Sequence, residues 1–237
     1  IRAKGDGENA FLRPALREDK GITVLPYHLV ERLITDETGS RVLAAVGNQT
    51  KAGERFEIRG RVFVLAAGAG NSAALLLRSS TIRHPRGLAN GSDQVGRNFM
   101  AHNNTVLMGL HPLRRNPTRF QKTLSFNDFY AGGGNVQMRG KVLPQNLKRS
   151  PKWWMRTLAA PIAARSFDFW VMSEDLPDPE NRIMLRPDGS VQLSRTLNNL
   201  EVHESLVRRV KEVLKKAGLP VILTRPPSPA TIQHQIG

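Results

Sequence analysis

The stretch "RVFVLAAGAGNSAALLLRSS", Arg61 to Ser80, decides the fold. Val62 to Ala66 are apolar at every position, as in a strand covered by helices on both faces. The run then meets Ala67-Gly68-Ala69-Gly70 and becomes a leucine-rich helical pattern. A strand that ends on glycines and opens a helix aims backbone N–H groups at the crevice beyond its carboxyl end, where anionic ligands collect. As a phosphate-binding fingerprint the spacing is incomplete. Ala73 stands where a third glycine belongs, and no acidic residue closes a second strand about 20 residues on. Two readings stay open at this point: a ligand-binding turn, or tight helix-on-sheet packing without a ligand.

Upstream, "ENAFLRPALRED" (8–19) has helical spacing, with Pro14 restricting it. After Gly21 the period changes to that of strands. "ITVLP", "YHLVERLITD", "RVLAAVGNQ" and "RFEIRG" are separated by Gly, Asp and Ser turns, a β-meander that feeds the buried strand 62–66. Downstream, "TVLMGLHPL" predicts a strand, and residues 131–165 predict glycine hinges, basic residues and one helix. "SFDFWVMSEDLPDPENRIMLRPDGSVQLSRTL" predicts strands split by two turns, and Leu200 to Gly218 is the clearest helix, with Val202, Leu206, Val210, Val213 and Leu214 on one face. Asn103 and Asn104 read as turn formers.

Composition limits the chemistry. The 237 residues contain no Cys, which excludes disulfides, thiolate metal sites and a Cys nucleophile but leaves the compartment open. No apolar stretch approaches the ~20 residues of a membrane span. The net charge of +15 is concentrated in residues 83–165, which hold 14 basic and 2 acidic side chains. "NLKRSPKWWMRTLAAPIAAR" sets Trp153 and Trp154 among Lys148, Arg149, Lys152, Arg156 and Arg165. Over 148–165 such a segment suits an anionic membrane surface or a partner subunit, or else a solvated loop whose tryptophans cover the core.

Several blocks stand together in order: "LVERL" at 29–33, "AAGA" at 66–69 with its leucine-rich helix, "GLANGSDQVGRNFMAH" at 87–102, "SEDLPDPENRI" at 173–183, and the final "HQIG". Over most of its length the chain thereby resembles the glucose-methanol-choline oxidoreductases, flavoenzymes that oxidise alcohols. The resemblance implies a mixed α/β (α+β) fold. A partial FAD-binding, Rossmann-like domain with a β-meander would span 1–98, and a substrate domain of antiparallel sheet and helices 99–225. Residues 226–237 would return toward the FAD domain. It implies FAD as cofactor, with contacts at the backbone of Val30 and at Ala67, Gly68 and Ala66. His102 and Glu174 become substrate-pocket candidates; an imidazole suits proton transfer near neutral pH, but the histidine of this block is not the family's catalytic one. The catalytic histidine block is expected beyond Gly237 and the GxGxxG turn before Ile1, so the chain by itself is expected to be inactive. His234 reads as structural. No metal site is expected. The substrate class is an alcohol, sugar or sugar acid; the electron acceptor stays open. A competing reading, from net charge alone, is a non-enzymatic binder of nucleic acid or another polyanion. Aromatic residues at 6% and the lack of a nucleic-acid motif weigh against it.

Overall fold

In a computed structural model of the chain, the described residues are 5–18, 21–119, 124–150, 152–228 and, for the backbone alone, 235–236. His234 lies outside them. The first helical segment forms as a π-helical turn, Glu8–Leu12, running into α1, Arg13–Arg17. Three strands follow as an antiparallel meander in the order β1 (His28–Thr35), β2 (Val42–Gln49) and β3 (Arg55–Arg59). "ITVLP" adds no strand to it: Ile22, Val24 and Leu25 are exposed.

Residues 62–66 do not form the buried strand that their composition predicts. They run extended and unpaired among the described residues, with Phe63 and Leu65 packed beside the Leu33–Ala45–Leu88 cluster and Val62 and Val64 bare at 81% and 84% exposure. One face of the run is covered and the other is not. The glycines then open α2, Gly68–Arg78, as predicted.

After α2 the chain makes a tight loop before β4, Met100–Ala101. Asn90 is buried there and bonds within the loop, donating to Arg86 O and accepting from Val95 N–H. Gly96 has φ +85°, and a Cβ on it would lie 2.5 Å from Ile183 O, so only glycine allows this approach. The contact is made good by Ile183 N–H donating to Gly96 O at 2.7 Å.

The larger unit contains β5 (Asn103–Leu110), β6 (Leu124–Phe126), β7 (Gly134–Gly140), three short helices α3 (Pro144–Lys148), α4 (Trp153–Thr157) and α5 (Ala159–Arg165), and β8 (Ser166–Ser173). The hairpin β9 (Arg182–Leu185) and β10 (Val191–Ser194), helix α6 (Leu200–Lys216), β11 (Val221–Arg225) and β12 (Gln235–Ile236) complete it. Five strands join antiparallel in the order β11-β5-β8-β7-β6. The residues predicted as glycine hinges are thus strand β7, and the one expected helix is three. Asn103 and Asn104 are not turn residues: both are buried at the start of β5, paired with Ser173 and Met172.

Helix α6 packs on one face of this sheet. Leu206, Val210 and Leu214 meet Leu107, Val136 and Val171, all three of the latter fully buried. Each such side chain contributes about 1.5–3 kcal/mol by leaving water. His203 takes the buried position one residue along from Val202, which faces out, as does Val213. The opposite face carries a second cluster, Met108, Leu147, Ala159 and Ala163, which seats α3–α5. A third cluster, Ala74, Phe99, Ala101 and Ile183, fastens α2 to β4 and to the β9–β10 hairpin.

Register gives the sheet two distinct ends. Asn103, Gly134 and Ser173 meet at one, and Leu110, Gly140, Ser166 and Val221 gather at the other.

Candidate functional site

At the first of these ends the strands leave a cleft of about 390 Å³, lined by His102, Tyr130, Gly133, Gly134, Asn135, Gln137, Met172, Ser173 and Glu174. The pleat explains the lining. Asn135 faces Met172 and Gln137 faces Trp170 across β7 and β8, so these positions share a face of the sheet, while Val136 and Val171 point into the α6 core. His102 sits between β4 and β5, and Glu174 follows β8. The two pocket candidates read from the sequence therefore line the same cleft.

The cleft is held by backbone and amide bonds. Glu174 N–H donates to Gly133 O at 3.0 Å, and Asn103 Nδ2 donates to Asn198 O at 2.7 Å and to Glu174 O at 3.3 Å. Just beyond, Asp175 and Arg195 form a fully buried ion pair at 3.0 Å; Asp175 also accepts from Ala101 N–H, and Arg195 donates to Ala101 O. Asn135 donates to Asn127 Oδ1 at 2.7 Å, yet its own Oδ1 and Gln137 Oε1 are buried with no hydrogen-bond partner. Buried polar atoms without partners cost about 1–3 kcal/mol each unless something pairs with them.

Behind the wall, His203 is clamped between Thr105 Oγ1 at 2.7 Å and Ser173 Oγ at 2.8 Å. Burial pushes its pKa down to about 4, so the ring is neutral, with one nitrogen donating and the other accepting. It fixes the rotamer of Ser173, a lining residue. Further along the same face as Met172 and Gln137 lies Asp168, 3% exposed, while the Arg139 guanidinium stacks 4.6 Å from the Trp170 ring. Burial pushes the Asp168 carboxyl up to about 7, with Arg139 acting in the opposite sense.

The cofactor candidates form a second group. Val30 packs, partly buried, in the cluster that also takes Phe63, Leu65 and Leu75, so β1 and the strand-like run into α2 stand side by side. β1 is an edge strand whose free side is partly capped, Leu33 N–H donating to Ser79 Oγ at 2.9 Å. Ala66, Ala67 and Gly68 are exposed. Gly68 has φ +79° with no heavy atom within 4 Å of a Cβ position, so a ligand has open approach to the backbone where α2 begins. An exposed helix N-terminus beside an open strand edge fits a large anionic dinucleotide such as FAD. Because α2 is bolted to Ala101, it also adjoins the chain leading into His102.

Tyr130, Asn135, Gln137, Met172 and Ser173 were not singled out from the sequence. The signal was present in "GNVQMRG", whose alternation Asn-Val-Gln-Met-Arg is that of a half-buried strand, but flanking glycines disguise it.

Comparison with known proteins follows the same lines. Residues 2–104 match the GMC oxidoreductase family. The chain is 27% identical over 203 residues to the fructose dehydrogenase large subunit of Gluconobacter japonicus, covering 73% of this chain and 34% of that protein. It is 38% identical over 114 residues to the 6'''-hydroxyparomomycin C oxidase of Streptomyces lividus, covering 45% and 19%. Two mutants of Aspergillus oryzae RIB40 formate oxidase, studied for effects on FAD modification, share the fold with TM-scores of 0.60 and 0.54 at 14% identity. They cover 92% and 84% of this chain and 48% and 44% of theirs. The chain thus spans about a third or less of the curated relatives it matches.

Proposed function

Because residues 2–104 match the GMC oxidoreductase family, whose cofactor is FAD, we propose that the protein oxidises a CH–OH group of an alcohol, sugar or sugar acid. FAD, when bound, supplies the acceptor for the hydride that leaves the alcohol carbon, while the hydroxyl proton goes to a base. In this reading the backbone of Val30 and the turn Ala66-Ala67-Gly68 hold the cofactor's adenosine and diphosphate side.

The observation that carries the substrate side is a cleft whose wall includes the amide side chains Asn135 and Gln137 and the hydroxyls of Tyr130 and Ser173. Amide and hydroxyl side chains hydrogen-bond hydroxyl groups, and a polyol or sugar presents several at once. His102 and Glu174 add further polar groups around the same space, and the neutral His203 keeps Ser173 in place. The names of the relatives, a fructose dehydrogenase large subunit and a 6'''-hydroxyparomomycin C oxidase, favour a polyhydroxylated substrate.

The test uses the intact protein, purified with its flavin and kept anaerobic. Bleaching of the flavin absorption by sugars, polyols or sugar acids is the expected result. A bound flavin that none of these bleaches, or a protein with no flavin, overturns the reading.

A further inference from the structure

The other end of the five-stranded sheet has a surface of a different kind. Three segments emerge there: the 111–119 loop after β5, the helical excursion α3–α5 between β7 and β8, and the turn between α6 and β11. The first two are tied together at one point. Asn116, 3% exposed, donates to Gly140 O at 3.0 Å and Ser166 O at 2.7 Å, and its backbone N–H donates to Ala164 O.

All three segments are basic. From Phe129 to Phe167 there are seven Lys and Arg and no acidic residue. Arg114 and Arg115 add to them from the loop, and Lys215 and Lys216 from the last turn of α6. Among the described residues, none of these side chains forms an ion pair, although Arg139 lies over Trp170 and acts on Asp168, and five arginines elsewhere in the chain are paired. Apolar side chains stand exposed on the same segments: Leu113 at 82%, Trp153 at 70%, Leu143 at 55% and Leu158 at 49%. Trp154, by contrast, is half-buried near Lys152, and Met155 and Leu147 anchor the helices to the sheet. Trp153 therefore is not needed to close the core.

We propose that this end of the sheet is a docking surface for an anionic lipid bilayer. Unpaired basic residues draw anionic headgroups, and each near the surface adds to the attraction. Trp and Leu among them supply short apolar wedges at the depth of the headgroup–acyl boundary, where an indole is favoured. A nucleic acid would use the same charges but has no use for exposed leucines. The contact is superficial, since no helix among the described residues is long and apolar enough to cross a membrane. The eight residues of β5 set the cleft about 25 Å from the lipid. Bound in this way, the protein faces its cleft away from the membrane, toward water-borne substrate.

The test is co-sedimentation of the intact protein with vesicles of phosphatidylcholine, with and without phosphatidylglycerol. Binding only to the phosphatidylglycerol vesicles is expected, weakening steeply as salt is raised. Replacing Lys148, Arg149, Lys152 and Arg156 with Gln lowers the partition at least tenfold. Trp153→Ala lowers it severalfold and removes a blue shift in tryptophan emission that wild-type protein shows with these vesicles. Both variants keep the wild-type unfolding midpoint and turnover, since the changed side chains are exposed and distant from the cleft. Equal binding to both kinds of vesicle, or to neither, overturns the proposal. So does binding that Trp153→Ala leaves unchanged while duplex DNA competes it away, which would mark a polyanion site. Loss of a copurifying protein subunit from the Gln variant, with no vesicle binding by wild type, would also overturn it.

Discussion

The two ends of the five-stranded sheet are built from the same strands and solve the problem of charge in opposite ways. At the cleft end one opposite pair of charges is buried inside the protein: Asp175 with Arg195, and both with the backbone of Ala101. At the basic end most of the charges are exposed and none forms an ion pair among the described residues, and one neutral amide, Asn116, ties the 111–119 loop to the α3–α5 excursion. A site that must hold groups in fixed positions gains from internal pairing, because removing either partner is costly and the geometry is over-determined. A surface meant to meet something outside gains from charges that are not already satisfied.

The sharpest way to break this contrast is at the buried ion pair. Arg195→Met leaves the Asp175 carboxylate uncompensated and is expected to cost about 3–5 kcal/mol in urea unfolding. Adding Asp175→Leu to that variant should restore much of the loss. If the single variant costs less than ~1 kcal/mol, the cleft end is not held by this pair.

Each end also buries one titrating group, and the two act in opposite directions. His203, at the cleft end, has its folded pKa near 4 against an ordinary 6.5. The unfolded chain binds the extra proton, so its contribution is present above pH ~6.5 and is lost as pH falls toward 4, roughly 3 kcal/mol in all. Asp168, nearer the basic end, is raised from 3.8 to about 7, so its contribution is present at low pH and is lost as pH rises through 7, roughly 4 kcal/mol. The wild-type protein should show a nearly flat stability between pH 4 and 7. Asp168→Asn should uncover a profile that rises with pH, and His203→Gln one that falls. Identical profiles for both variants, followed by urea midpoint against pH, would show that neither group titrates as placed.

At the basic end, Asn116→Ala leaves two buried carbonyl groups without a donor and is expected to cost about 1–3 kcal/mol. Amide hydrogen exchange should quicken in the 111–119 loop while the cleft residues stay protected. Smallest is Gln137→Ala in the cleft wall, for which we expect about tenfold loss in kcat/KM toward a polyhydroxylated substrate, ~1.4 kcal/mol, with the midpoint unchanged. An equal loss toward a simple monohydric alcohol would mean that Gln137 shapes the cleft but does not read hydroxyls.

Much of the fold was legible in the sequence where one physical signal dominated. The α6 helix showed by its period and its Gly218 stop, and the meander by its turns. The face of α6 was misjudged by one position, because a histidine satisfied by two hydroxyls can occupy a core site that apolar counting gives to Val202. Strand β7 was hidden for a related reason. Its polar residues line a cleft and its Gly134 lets Leu206 approach, so neither looks like strand composition. Residues 62–66 fail in the opposite direction: their composition asks for cover on both faces, and the described residues cover only one. His102 and Glu174 could be singled out by their chemistry and by family resemblance. That they share a cleft depends on the pairing of β5, β7 and β8, which no local pattern reveals.

The paired burial of His203 and Asp168 has a calorimetric consequence. Near pH 5 the unfolded chain carries a protonated imidazole and an ionised carboxylate, whereas the folded chain carries a neutral imidazole and a protonated carboxyl. Folding then moves one proton from a nitrogen base to an oxygen acid within the molecule, and these two groups exchange none with the buffer. The unfolding heat at that pH should be insensitive to the buffer's own ionisation enthalpy, and Asp168→Asn alone should make it sensitive.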